Sequence, residues 1–226
     1  FQVEVVNEQA AVRTLKLADY FTTVADKQAF NRDPDAYMER INKPGADDGH
    51  YTLLNHVNHD GRRNLALATT MYVKVEGEDS SSRLNIRDRW RMGDAQTSED
   101  GLTQSISFQC TAYRGLTAAE AGKNPIVRLT KTYTIRKKDY TVNVSLQAEN
   151  LSTEKLALRI DQAGPTGVPL ESHRGDERFA VWGMLGEGEV DVMVEKKTDL
   201  THDQTATRRV VGTTAGKSGD PGEPAI

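Results

Sequence analysis

Apolar and polar residues alternate along most of this chain, and a period of two marks strands with one buried and one wet face. The alternation is unbroken over residues 140–149. Tyr140, Val142, Val144, Leu146 and Ala148 share one face, and Thr141, Asn143, Ser145, Gln147 and Glu149 the other. Residues 129–136 repeat the pattern: Leu129, Tyr133 and Ile135 point inward, threonines point outward, and Lys131 interrupts the apolar face. Between these runs, Lys137, Lys138 and Asp139 have the length of a hairpin loop. After a turn-like Asn150-Leu151-Ser152-Thr153-Glu154, the residues Leu156, Leu158 and Ile160 alternate with Ala157 and Arg159. The three runs together predict a three-stranded antiparallel meander.

The same test predicts further strands. Val3 and Val5 follow Phe1 at alternate positions, and residues 12–18 form a second strand paired with the first through a turn at Glu8-Gln9. Leu65, Leu67, Thr69, Met71, Val73 and Val75 form one long run. Leu84, Ile86, Trp90 and Met92 form another, as do Ile106, Phe108, Cys110 and Ala112, and Val190, Val192 and Val194. Helix signals are sparse. Asp33 before Pro34 is an N-cap followed by a first-turn proline, with Ala36, Tyr37 and Ile41 as its apolar stripe. Residues 116–121 have the composition of one or two helical turns stopped by Gly122. No 20–50-residue repeat is evident. Eight to eleven antiparallel strands with polar loops predict an all-β sandwich, because one-faced sheets bury their apolar faces against each other. The domain is expected over 1–211. The Gly-, Ser- and Pro-rich residues 212–226 read as a flexible tail or linker.

Composition narrows the function. Across 226 residues and a net charge of −4, Lys and Arg total 29 against 33 Asp and Glu, which excludes a generally basic nucleic-acid binder. One cysteine excludes an internal disulfide, and no apolar run is long enough to span a bilayer. A start at Phe1, without initiator Met or signal region, predicts a segment of a longer protein.

Candidate chemistry is thin. His56 and His59 are a close pair with His50 and Asp60 nearby, but an offset of three points strand side chains to opposite faces. A zinc site would need more convergent ligands, so no metal is expected. Residues 55–64 read as a polar loop ending in a turn at Asp60-Gly61. Residues 183–188 resemble a glycine motif only superficially and read as a turn between Trp182 and Val190. Glu171, Asp176 and Glu177 lie with His173 and Arg174 in an expected loop. Cys110 reads as a buried apolar residue. The most specific surface feature is an arginine ladder, Arg83, Arg87, Arg89 and Arg91, opposite Leu84, Ile86 and Trp90. It is a candidate interaction face for an acidic partner, anionic lipid or sugar, set against the plainer reading of a solvated strand face.

The segment from Leu129 to Asn150, LTKTYTIRKKDYTVNVSLQAEN, resembles the large periplasmic domain of the YidC membrane protein insertase family (YidC/Oxa/Alb). That domain also runs from a Lys-Thr-aromatic strand through a short charged turn to a Tyr-x-Val-x-Val strand ending in Asn. Gly164-Pro165-Thr166-Gly167 strengthens the resemblance, and the opening hairpin, residues 1–20, is compatible with it. The resemblance implies an antiparallel β-supersandwich like that of galactose mutarotases, with one or two short helices in loops. It also implies a non-enzymatic domain on the periplasmic side of the bacterial inner membrane, tethered to a membrane-embedded insertase. No cofactor is implied. The implied partners are Sec translocon accessory subunits and nascent membrane proteins, with no nucleic acid. In that setting the domain assists protein transport and folding in a chaperone-like way. None of the family's functional groove residues maps here. The alternatives are a mutarotase-like carbohydrate-active enzyme, which needs a His and a carboxylate converging in a cleft, and a carbohydrate-binding module, which needs a row of exposed aromatics.

Overall fold

The computed structural model describes residues 2–41, 43, 49–59, 61–75, 90–113, 124–168, 179–186, 189–196 and 211–213, with the backbone course alone for the last three stretches. The chain is an all-β antiparallel, sandwich-like fold with two short helices. Its strands are β1 (Gln2–Val6), β2 (Ala11–Phe21), β3 (His50–Asn55), β4 (Val57–His59), β5 (Arg62–Asn64), β6 (Thr69–Val75), β7 (Arg91–Met92) and β8 (Gln96–Thr97). They continue with β9 (Thr103–Tyr113), β10 (Pro125–Arg136), β11 (Val142–Asn150), β12 (Leu156–Gln162), β13 (Phe179–Gly186), β14 (Glu189–Lys196) and β15 (Val211–Thr213). The helices are α1 (Val24–Arg32) and α2 (Pro34–Ile41).

Two compact units emerge, Phe1–Val168 with Val211–Ile226, and Pro169–Val210. In the second unit, β13 and β14 form an antiparallel hairpin in unbroken register from Phe179 opposite Lys196 to Gly186 opposite Glu189. Gly183 and Gly186 therefore belong to a strand rather than to the expected turn. In the first unit the sheets run β1-β2-β3, β11-β10-β9-β7 with β8 also on β9, β15-β12-β6, and the small pair β4-β5. β15 takes in Val211–Thr213, across the expected start of the tail at 212. The suggested helical turns at 116–121 lie outside the described residues.

The first unit is held by one apolar core. Phe108, Cys110 and Ala112 from β9 meet Val127, Leu129 and Tyr133 from β10, Met71, Val73 and Val75 from β6, Leu156 and Leu158 from β12, and Val12 and Leu15 from β2. Strict alternation places each set on one sheet face. Burying a side chain the size of Phe108, fully shielded here, contributes about 1.5–3 kcal/mol. Trp90 is also buried in this core, as expected.

The structure corrects four expectations. The meander is broken: β12 pairs with β6 and β15, and β11 is left as the edge of its sheet beside β10. The physical reason lies in Asn150–Glu154, which forms an arch rather than a hairpin turn. Asn150 donates to the Glu154 carbonyl and accepts from the Ser152 amide, while the Leu151 amide donates to Ile126 O. The arch carries Leu156 and Leu158 across to the opposing sheet, where both are buried. Tyr140 lies before β11 rather than within it and is 53 % exposed, packing edge-on at 6.0 Å against Tyr20, which is 55 % exposed. The run from Leu65 splits at Leu67, whose positive φ of 56° starts β6 only at Thr69. Finally, residues 57–64 are a hairpin rather than a loop, with His59 opposite Arg62 around the expected turn at Gly61.

Helix α1 is a further element that periodicity misses, because no residue of it is fully buried. Its start is set by Thr23, whose hydroxyl accepts from the Asp26 amide at 3.1 Å. Asp33 Oδ1 accepts from the Ala36 amide at 3.0 Å and starts α2, as Asp-Pro predicts. Aromatic contacts dock the pair onto β2: Phe21 meets Phe30 at 5.3 Å and Tyr37 at 5.7 Å.

The Gly164–Gly167 segment is fastened by backbone. Thr166 O accepts from the Asn55 amide at 3.2 Å, Thr166 Oγ1 donates to Asn55 O at 2.9 Å, and Gly164 O accepts from the Leu67 amide. Gly167 has φ +61°, and a Cβ there would collide with the Asn55 carbonyl. Gly61 also has positive φ, but a Cβ there would meet nothing. Gly167→Ala is therefore expected to lower stability by about 2 kcal/mol or more, and Gly61→Ala by about 1 kcal/mol. Urea denaturation of both variants checks the difference; equal effects would show that the clash is absorbed.

Candidate functional site

Two features of the first unit stand out chemically: a cation buried in the core, and a cleft at the end of the β10–β11 hairpin. The cation is Lys131, which lies on the inward face of β10 and is fully buried. Its Nζ donates to the Leu67 carbonyl and, at 2.8 Å, to Thr69 Oγ1, and it stands 5.0 Å from the centre of the Tyr133 ring. Both hydrogen-bond partners are neutral. Burial therefore dominates and pulls the Lys131 pKa down from 10.5 to about 7. Two positions along the same strand face, Tyr133 donates its hydroxyl to Ala10 O at 2.7 Å, and burial raises the phenol pKa well above its usual value.

Both accepting carbonyls come from residues in the left-handed region, Ala10 with φ 47° and Leu67 with φ 56°. Gln9, also left-handed at φ 57°, donates its side-chain amide to Thr70 Oγ1 at 3.1 Å. Such residues cost about 1–2 kcal/mol each when they are not glycine. The turned backbone aims its carbonyls inward at the polar tips on β10. Lys131 is fully buried, and the chemistry of the cluster is that of a structural tie.

The cleft has a volume of about 570 Å³ between the end of β2, the turn before β9 and the β10–β11 turn. The walls are joined by the Lys137 amide, which donates to Leu102 O at 2.7 Å. Lys138 adopts φ 64° at the tip of the turn. Asp19 and Asp139 on the rim each accept a hydrogen bond, from the Tyr140 hydroxyl at 2.8 Å and the Thr141 amide at 3.1 Å. The Tyr140 hydroxyl is in turn pushed up in pKa, first by that bond to Asp19. Nearby, Asp100 is held below its ordinary pKa, first by the Ser98 hydroxyl, then by the Leu102 amide, with the Arg136 charge adding to both. Arg136, Lys137 and Lys138 are exposed and make no ion pair among the described residues. A second, more apolar cavity of about 140 Å³ adjoins the first, sharing Gln104 and Ile135 and lined also by Val3, Val5, Ile106 and Tyr133.

The expected site residues are placed less fully. Arg91 lies on β7 opposite Gln109 and is exposed, while Trp90 beside it is buried. Arg83, Arg87 and Arg89 lie outside the described residues, as do Glu171, His173, Arg174, Asp176 and Glu177. His50 is not in a loop: it opens β3, is buried, and stacks 4.8 Å from Phe21 and 5.8 Å from Tyr37. It approaches Asp26, whose carboxyl is held below its usual pKa mainly by the Thr23 hydroxyl, with Arg40 and then His50 contributing. His56 follows β3 and His59 ends β4. His202 lies outside the described residues. No group of three or more His, Cys, Asp or Glu is placed to hold a metal ion among the described residues. Cys110 is buried, as expected. Also among the described residues, no helix is long and apolar enough to cross a membrane.

Sequence reasoning passed over Lys131 as a site, although its position on an apolar strand face was visible. It placed Arg136 at the end of a strand and Lys137 and Lys138 in a hairpin loop, and had no signal for the cleft beside them. Compared with known proteins, the chain matches no family model, no curated protein and no solved structure.

The Lys131 geometry sets a pH dependence. Unfolded Lys131 takes up its proton below about 10.5, whereas folded Lys131 does so only below about 7. Unfolding between these values takes up a proton, so raising the pH through this window favours the folded state. Relative to Lys131→Met, the native protein should gain stability steadily from pH 7 towards pH 10 and show a constant difference below pH 7. Urea titrations across that range check this, and a flat or falling difference would place the proton elsewhere.

Proposed function

We propose that this chain is a YidC-type periplasmic domain, a non-catalytic scaffold that supports membrane protein insertion by touching Sec accessory subunits or emerging polypeptide. One observation carries the reading: the two segments that resemble that domain are framework parts of one unit. Residues 129–150 supply β10 and β11 in continuous register from Val127 opposite Asn150 to Ile135 opposite Val142. Gly164–Gly167 is clamped to Asn55 and Leu67 by its own backbone. An all-β sandwich is the architecture that the resemblance implies.

The rival enzymatic reading requires a histidine facing a carboxylate in an open cleft. His50 does approach Asp26, but its ring is packed among Phe21 and Tyr37 and borders neither cavity described above. This favours the scaffold. The reading places the protein outside the cytoplasmic membrane, working through its surface and without a cofactor.

A photo-crosslinking residue in place of exposed Tyr140, in the full-length protein in native membranes, tests the proposal. Adducts with Sec accessory subunits or with nascent membrane proteins are expected. Their absence, together with mutarotation of an aldose that is lost in His50→Gln, would favour the carbohydrate-active alternative.

A further inference from the structure

The two cavities adjoin at Gln104 and Ile135 and differ in character. At the mouth, Arg136, Lys137 and Lys138 are exposed cations, of which Arg136 also faces the charge of nearby Asp100, and the rim carboxylates Asp19 and Asp139 each accept a hydrogen bond. Among the side chains that line the mouth, three cations stand against two carboxylates, so its balance of charge is positive. Inward, past Gln104 and Ile135, the lining turns to Val3, Val5 and Ile106. This strip is a seam between sheets: β1 pairs with β2, and β9 pairs with β10, β7 and β8, so no backbone ladder closes the gap between β1 and β9 among the described residues.

We propose that this seam binds an anionic amphiphile, a phosphate-headed lipid or alkyl chain, with its head at Arg136–Lys138 and its alkyl part along Val3, Val5 and Ile106. The charge selects an anion over a neutral or cationic head, because a phosphate accepts several hydrogen bonds from clustered cationic donors. The seam selects a ligand with a tail over a free ion, because apart from Gln104, Ser105 and the already bonded Tyr133 hydroxyl its lining is apolar and gains by shedding water. Exposed Leu102 and the edge-on pair Tyr20–Tyr140 flank the mouth, an amphipathic rim suited to the junction of head and tail. The site goes beyond the insertase reading and does not depend on it.

The test uses decyl phosphate below its micelle concentration, with decyl maltoside as the neutral-headed chain and inorganic phosphate as the chainless head. Calorimetric titration of the native protein should show decyl phosphate binding at least about tenfold more tightly than either control. Arg136→Ser/Lys137→Ser/Lys138→Asn should remove that preference; Asn is chosen because it tolerates the left-handed backbone at 138. Ala95→Trp, which fills the apolar cavity from an exposed position, should weaken decyl phosphate while leaving the melting temperature unchanged. Flotation with phosphatidylglycerol and phosphatidylcholine vesicles then separates the sources: selective flotation with phosphatidylglycerol assigns the ligand to a bilayer, and its absence alongside decyl phosphate binding assigns it to a free amphiphile. Equal binding of the neutral and anionic chains, equal binding of inorganic phosphate, or no binding at all would overturn the proposal. So would affinity that survives both variants.

Discussion

Two polar tips on one strand tie the sheets of the first unit to one another within its apolar core. Lys131 and Tyr133 project from the same face of β10 and reach different neighbours: Lys131 the Leu67 carbonyl and Thr69 at the start of β6, Tyr133 the Ala10 carbonyl at the entry to β2. The three sheets that β10, β6 and β2 belong to are thus tied through side chains, beside a single backbone bridge from Val12 to Ala66. The arrangement only works because Ala10 and Leu67 are left-handed. An extended residue at either position would turn its carbonyl away from the tip it now meets and cost that donor a partner, at about 1–3 kcal/mol or more for a charged group. Strain in the backbone and desolvation of the lysine are both costs, and the hydrogen bonds made within this small cluster offset them.

This tie also explains why the unit keeps an open side. With the sheets held from inside by side chains, β1 does not need to pair with β9, and the space between them remains as the apolar seam that runs out to Arg136–Lys138. Elsewhere the exposed ion pairs, such as Arg13 with Glu4 and Arg128 with Glu149, sit across neighbouring strands and contribute about 0–1 kcal/mol each. They tune register more than they hold the fold.

The strands were readable where alternation was long. β9, β10 and most of β11 follow directly from their period-two patterns, and Asp33-Pro34 marks α2. What failed was partner choice. The order of strands along the chain suggests that β12 follows β11 in one sheet, but the decision is made by Asn150 and Leu151, whose hydrogen bonds bend the chain into an arch toward β6. Short range alternation carries no such information. Likewise α1 has no apolar stripe to announce it, and β3 is too short and too mixed to stand out. The site was legible in part: Lys131 was visible as a charge on an apolar face, but that Leu67 and Ala10 would turn to meet it is a tertiary fact. The cleft is assembled from three segments far apart in sequence, which no local pattern reveals.

Native-state hydrogen exchange of Tyr133→Phe tests the tie most directly. With the hydroxyl gone, Ala10 loses its partner, and the amides around the β2 entry, including Val12, which donates to Ala66 at 2.9 Å, should exchange faster while the β9–β10 ladder keeps its protection. If instead protection falls evenly across the unit, or not at all, the three sheets are held by the apolar core alone and the polar tips on β10 are incidental to it.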